Sequence, residues 1–359
     1  MKRFMSFLVS QRDLSHDEDY DAVAAFDSEK ITDVLEDFVI MLGQTLKPNG
    51  INTHLSAAEL FFEMNRKIWH KKLVRKSIKK DDDELYGKLP ATNEDIIQML
   101  ETMRHPREKA LIHFLASTGI RPSGITDPIL RMKHLEYMPN PSNPNLEPKY
   151  CYAVKIYDES KEGYWVFLTP EATKSLNRYF GWRKYIRREE FTEETPIFAN
   201  FKSNSKRPHL DNSGIRRIIE TAIIRSGIER IKKGSRYDKA MNYMFRKRFN
   251  TILKLNNDVN SNIAEKLMAH KRGLDGTYLQ PTRDECYREF VKAISQLTIN
   301  PTERQKTELE EKQKKIDQLE ATTRENSNLK QKLDAQEDRI GNLEQMLFDS
   351  NFHPLSKSD

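Results

Sequence analysis

Cysteine is nearly absent. Two residues in 359, Cys151 and Cys286, are too few for a disulfide scaffold or a cysteine-based zinc site, and such sparing use fits a reducing cytoplasm. No apolar run approaches the ~20 residues needed to cross a bilayer, which excludes a transmembrane chain. Met1 to Ser10 places Lys2 and Arg3 before a few apolar residues, but that stretch is short and has no small-residue cleavage site. It reads as a first helix rather than a signal peptide. There is no glycine-rich phosphate loop and no carboxylate set spaced for two metals. Apolar residues are 37% and charged residues 32%, a lean core under a heavily charged surface. The length is enough for two domains.

What is present is positive charge, unevenly placed. The formal net charge is +6, yet residues 1–60 carry five basic and eleven acidic residues. Residues 302–348 carry nine basic and eleven acidic, so the excess falls on 61–301 with a net +15. A middle section that basic suggests a polyanionic partner, most simply nucleic acid. The charge is densest where Arg66, Lys67, Lys71, Lys72, Arg75, Lys76, Lys79 and Lys80 fall within fifteen residues without one acid. Lys67, Lys71, Arg75 and Lys79 recur every four, which on one helix makes a row, with Lys72, Lys76 and Lys80 beside it. Such rows repel each other unless phosphates neutralise them. Trp69 and Leu73 would mark the buried side.

The chain divides into four stretches. Residues 1–85 read as a helical DNA-binding domain, with an amphipathic run from Val34 to Leu46 and a capping box of Ser56 and Glu59. Asp81 to Glu84 reverses the charge before Gly87 and Pro90, marking a linker. Residues 91–300 read as a mostly helical domain with one small sheet. Thr92 caps a helix, a second runs from Glu108 to Ser117 and stops at Gly119, and Thr169-Pro170 opens another. Asp211 or Asn212 caps the next. The β-rich runs Tyr152–Tyr157 and Tyr164–Leu168 flank a turn over 158–163, a hairpin. Residues 302–348 space Ile316, Leu319, Leu329, Leu333, Ile340, Leu343 and Leu347 by three, four and seven, except between Leu319 and Leu329, where the register breaks and Thr323 and Asn326 stand at seam positions. That is a short, imperfect coiled coil for self-association, or a charged helix packing on its own domain. Residues 349–359 read as a loose tail.

Four local signals stand in order in the second stretch. They are Ser117-Thr-Gly-Ile-Arg121-Pro-Ser-Gly124, Lys161 in the hairpin turn, Tyr243-Met-Phe-Arg246, and His270 with Tyr278 beyond Gly273 and Gly276. Taken one at a time, each has an ordinary structural reading: a helix-end arginine, a turn lysine, a salt-bridged arginine, a satisfied histidine, a packing tyrosine. Together they can serve phosphoryl transfer. A tyrosine hydroxyl, with a reference pKa near ~10, is a poor nucleophile without cationic neighbours and a proton acceptor. Two guanidinium groups, Arg121 and Arg246, can fork onto the non-bridging oxygens of a phosphodiester and stay charged. Lys161 can protonate a leaving oxygen, and His270 can hold a phosphate oxygen or move a proton.

In this order the residues resemble those of the tyrosine recombinases, or phage-type integrases, most of all the divergent integrase-like members found in archaea and their mobile elements. The resemblance covers roughly 90–290. It implies a catalytic domain that is mainly α with a small β-sheet, a helical N-terminal domain that completes a clamp on double-stranded DNA, and a homo-tetramer on two duplexes. It implies DNA cleavage and rejoining through a covalent 3′-phosphotyrosine on Tyr278, without cofactor or metal, and a cytoplasmic, nucleoid-associated protein. The sequence departs at Tyr243, where the family usually has His or Lys, so Tyr243 or Lys247 takes that place or activity is reduced. Tyr287 is a second candidate nucleophile, read as packing, and Lys155 is the rival to Lys161. Two other outcomes stay open: DNA relaxation of the type IB topoisomerase kind, and a non-catalytic DNA-binding protein that keeps the fold.

Overall fold

The computed structural model describes residues 1–78, 89–158, 160–201, 207–233, 236–241, 243–270 and 278–351. Lys79 and Lys80 of the basic run lie outside the described residues. The chain divides into two compact units, Met1–Leu85 and Tyr86–Asp359.

The first unit is helical: α1 (Lys2–Ser10), α2 (Tyr20–Ala24), α3 (Ser28–Gly43), α4 (Pro48–Met64) and α5 (Lys71–Lys76). Asp27 starts α3 by accepting the Lys30 amide at 2.8 Å, and Pro48 sits in the first turn of α4, where its missing N–H costs nothing. The buried positions Ile31, Leu35, Phe38 and Leu42 on α3, and Ile51, Leu55, Ala58 and Phe62 on α4, follow the same 4-3-4 step. The two stripes close on Phe4, whose ring meets Phe38 edge-on at 5.0 Å.

The basic run is not one helix. The backbone leaves α4 through Arg66 at φ 56°, and α5 begins only at Lys71. Lys67 is therefore off the row that Lys71 and Arg75 share. Val74 is the buried residue of α5, and Leu73 is half exposed. Ser56 and Glu59 lie inside α4 rather than at its start. Glu59, 3% exposed, receives Arg75 through Nε at 3.1 Å and Nη2 at 2.6 Å, and Lys71 reaches Glu63 at 3.0 Å. Carboxylates of α4 thus neutralise two of the cations internally.

The second unit opens with α6 (Asn93–Thr102), capped reciprocally by Thr92 and Asp95, and α7 (Pro106–Thr118). α8 (Ser123–Thr126) follows, then an antiparallel sheet of β1 (Leu135–Met138), β2 (Cys151–Ile156) and β3 (Tyr164–Phe167) in the order β1-β2-β3. α9 (Pro170–Ile186), capped by Thr169, packs along α7. α10 (Asn212–Ser226), capped by Asp211, precedes a two-residue ladder of β4 (Lys232–Lys233) and β5 (Arg236–Tyr237). Then come α11 (Tyr243–Leu255), α12 (Ser261–Leu267), α13 (Arg283–Val291), α14 (Ile294–Leu297) and α15 (Pro301–Asn351). The fold is mainly α with a small sheet. Among the described residues no helix is long and apolar enough to cross a membrane.

Candidate active site

Gly119 sets the first corner. It ends α7 at φ 59°, and a Cβ there would stand 2.6 Å from Phe249 Cβ, so the backbone can turn this closely only with glycine. The turn is fastened from below. Ser117 Oγ accepts the Thr169 amide at 2.7 Å, which ties the end of α7 to the end of β3. Arg121 leaves this corner exposed, just before α8. Ser123 of α8 meets Tyr157 Oη at 3.1 Å and so locks the corner to the hairpin.

Arg246 enters from α11 and is 6% exposed. Its Nη1 donates to the Gly119 carbonyl at 3.0 Å, and its Nη2 donates to the Met268 carbonyl and meets His270 Nε2 at 3.0 Å. Burial, then the charge of Arg121, lower its pKa from the usual guanidinium value. Two cations held this close repel each other, and an anion between them removes that cost. The Arg246 guanidinium donates to the Tyr164 hydroxyl oxygen from β3, and burial pushes that hydroxyl up to about 12, so it stays neutral. Arg248, two residues further on α11 and so on another face of that helix, is a structural arginine. It is buried against Asn93 Oδ1 at 2.6 Å and the Leu297 carbonyl at 3.0 Å.

His270 is placed by the end of α12. The His270 amide bonds to the Glu265 carbonyl and the Ala269 amide to the Lys266 carbonyl, each at 2.9 Å, a Schellman ending with Ala269 at φ 52°. A non-glycine residue in that conformation is strained, and it sits beside the candidate site. The imidazole Nδ1 lies 2.7 Å from Glu265 Oε2, and Glu265 also pairs with Lys254 at 2.7 Å. The carboxylate fixes the ring's orientation, so Nε2 faces Arg246.

A cleft of about 1160 Å³ takes its lining from these elements, including Arg121, Lys155, Lys161, Tyr164, His270 and Arg283. Lys161 is exposed in the turn after β2, whereas Lys155 Nζ rests 4.9 Å over the Trp165 ring. A smaller hollow of about 350 Å³ shares Arg121 and is lined by Tyr243, Arg246 and Arg216 of α10. Arg121, Lys161, Arg246 and His270 are thus gathered by the fold, and Tyr243 stands at the edge, 54% exposed.

Tyr278 is not gathered with them. It is 79% exposed and lines a separate hollow of about 320 Å³ with Ile263, Arg288 and Glu289. Residues 271–277, which include Gly273 and Gly276, lie outside the described residues. Tyr287 is 4% exposed and donates its hydroxyl to the Pro139 carbonyl at 2.8 Å, a packing role. Sequence reasoning missed Glu265 and Tyr164. A carboxylate five residues before His270 was the available signal for the first; the second carries none apart from its register opposite Ile156.

No family model matches the sequence, and no curated protein matches it. Solved structures do. The XerH site-specific recombinase bound to its difH substrate is 17% identical at a TM-score of 0.45, the match covering 69% of this chain and 65% of that one. An integrase from mycobacterium phage Brujita is 16% identical at 0.41, over 81% and 91%. A lambda integrase dimer bound to a core site is 12% identical at 0.43, over 78% and 88%. The chain is similar in structure to site-specific DNA recombinases.

Proposed function

We propose that the protein is a tyrosine-type site-specific DNA recombinase, or integrase, acting on double-stranded DNA as a homo-tetramer on two duplexes. One observation carries the reading. Arg246 is buried, anchored to the Gly119 carbonyl two residues before Arg121, and touches His270 at 3.0 Å beside a cleft that Lys161 also lines. In this reading the two guanidinium groups bind the non-bridging oxygens of the scissile phosphate. Charge gathers on those oxygens in the transition state, and removing one such donor costs about 10²- to 10³-fold in rate. His270, oriented by Glu265, holds a phosphate oxygen or moves a proton. Lys161 protonates the leaving 5′ oxygen. Tyr278 attacks and keeps the 3′ phosphate as an ester, so rejoining needs no external energy. The exposed cations Arg66, Lys72 and Lys76 and the partly buried Lys67 contact backbone phosphates, and Lys71 and Arg75 do so only with their remaining donors.

A second reading is favoured by two observations: Tyr278 stands outside the cleft, and Tyr243 cannot supply the charge of a histidine or lysine. In that reading the protein binds DNA without cutting it.

Covalent trapping separates the two. The full chain is incubated in EDTA with a pool of nicked duplexes of random sequence, beside Tyr278→Phe and Arg121→Ala. The recombinase reading expects a protein–DNA adduct on a denaturing gel that both substitutions abolish. Salt-sensitive binding with no adduct from any duplex would leave the non-catalytic reading standing. An adduct that also relaxes supercoils but never joins two sites would point to a topoisomerase.

A further inference from the structure

From Leu319 onward, the long helix α15 keeps one seven-residue step through Leu319, Asn326, Leu333, Ile340 and Leu347. Leu329 and Leu343 each stand three residues after a member of that row. These are the a and d positions of a heptad, and the earlier Leu309 and Ile316 fall on a flanking e position. The helix is continuous over this length, and Leu329 and Leu333 are each 56% exposed, Ile340 55% and Leu343 52%. The other two d positions, Thr322 and Gln336, are polar, so six of the nine a and d positions from Leu319 to Leu347 are apolar, and a lone helix leaves those six in water.

The charges beside the seam say what covers it. With Leu333 at a, the g positions are Glu325, Lys332 and Arg339, and the e positions are Lys330, Glu337 and Glu344, all exposed. In two parallel identical helices in register, each g residue faces the e residue five positions later on the partner. The three pairings are Glu325 with Lys330, Lys332 with Glu337, and Arg339 with Glu344. All three are of opposite sign. A pair turned end for end and centred on the same segment keeps Glu325 against Arg339 and Lys330 against Glu344 but opposes Lys332 to Lys332 and Glu337 to Glu337, so it is the poorer by those two like-charge contacts. Asn326 supplies a second register signal. In a parallel pair it meets its own copy across the seam, and a lone a-position asparagine favours two strands in fixed register at some loss of stability.

We propose that residues 319–347 form a parallel, in-register, two-stranded coiled coil with a second copy of this chain. The pairing stands on the helix's own residues, whatever chemistry the cleft performs, and trapping of DNA neither supports nor opposes it.

Sedimentation of the full chain without DNA, at micromolar concentration, is expected to give twice the monomer mass, and Ile340→Asp is expected to return it to monomer. Asn326→Cys reports orientation. It self-crosslinks under mild oxidation if the helices are parallel and in register, and Cys151 and Cys286 are buried and leave the background clean. Lys332→Glu turns two symmetry-related pairs repulsive and is expected to weaken the dimer about tenfold or more, with Glu337→Lys restoring it. A wild-type monomer, a trimer, or a dimer that Asn326→Cys fails to crosslink would overturn the proposal. So would the absence of rescue in the Lys332→Glu, Glu337→Lys chain. An unchanged thermal transition in the rest of the chain checks that each variant still folds.

Discussion

Arg75 belongs to the basic run that composition assigns to DNA, yet the fold engages it first with Glu59. Replacing it with alanine leaves the Glu59 carboxylate, its side chain 4% exposed, with Lys71 Nζ at 4.0 Å as the remaining cation. At that separation a unit pair is worth about 4 kcal/mol at an effective dielectric of ~20. Arg75 is itself 44% exposed, so solvent screens part of this. Breaking a fully buried pair costs about 3–5 kcal/mol and a surface pair under ~1, and this half-buried bidentate case falls at about 2. The Glu59 hydrogen bond also raises the Arg75 pKa above its ordinary value, the direction a stabilising pair requires. Arg75→Ala should therefore raise the amide exchange rate of α4 by about 30-fold, since ~1.4 kcal/mol is a factor of ten. Glu59→Leu in the same chain should recover most of the loss, because it removes the stranded carboxylate. The assay is hydrogen exchange read by mass spectrometry over Ile51–Phe62, with DNA binding measured on the same samples. Exchange within a factor of two of wild type, with DNA affinity lost, would refute the reasoning and return Arg75 to the phosphates.

The other expectations separate binding, catalysis and stability. Lys72→Ala with Lys76→Ala should leave α4 exchange unchanged and reduce the slope of log affinity against log salt by about 0.9 per lost phosphate contact; fluorescence anisotropy on duplex DNA reads it. Glu265→Gln keeps a partner for His270 Nδ1 but removes the charge from a carboxylate that is 8% exposed, and should slow adduct formation about 10- to 100-fold with DNA affinity intact. Gly119→Ala places a Cβ 2.6 Å from Phe249 at φ 59° and should destabilise the second unit by about 2–3 kcal/mol in urea unfolding. His113 has a buried Nδ1 without a hydrogen-bond partner, and burial pushes its pKa down to about 4. The unfolded chain, with a histidine pKa near ~6.5, takes up that proton first, so stability should fall by on the order of 3 kcal/mol as pH drops from 6.5 toward 4. His113→Leu should flatten that part of the pH–stability curve.

What the sequence made legible, and what it hid, follows from the range of each interaction. Thr92, Thr169 and Asp211 announce their helices because a cap acts over three residues, and the hairpin announces itself because two β-rich runs flank one short turn. Glu59 hid for the opposite reason. Ser56 and Glu59 have capping-box spacing, but helix α4 had already begun at Pro48, and the acid's real partner is sixteen residues away in sequence. The basic run misled in the same way. Four-residue spacing makes a row only where the backbone stays helical, and Arg66 at φ 56° breaks it. The candidate site combines both cases. Gly119 before Arg121 is a local signal, since a helix-ending glycine fixes where the next side chains emerge. The step from Arg246 to His270 is not local: it needs α11 and the end of α12 to meet, and no periodicity encodes that meeting. Glu265 decides what the histidine can do, for it holds Nδ1 and leaves Nε2 to face Arg246. A histidine so held beside two arginines has a built reason to meet an anion. That pairing, more than any single motif, is why the cleft reads as a place for phosphate chemistry.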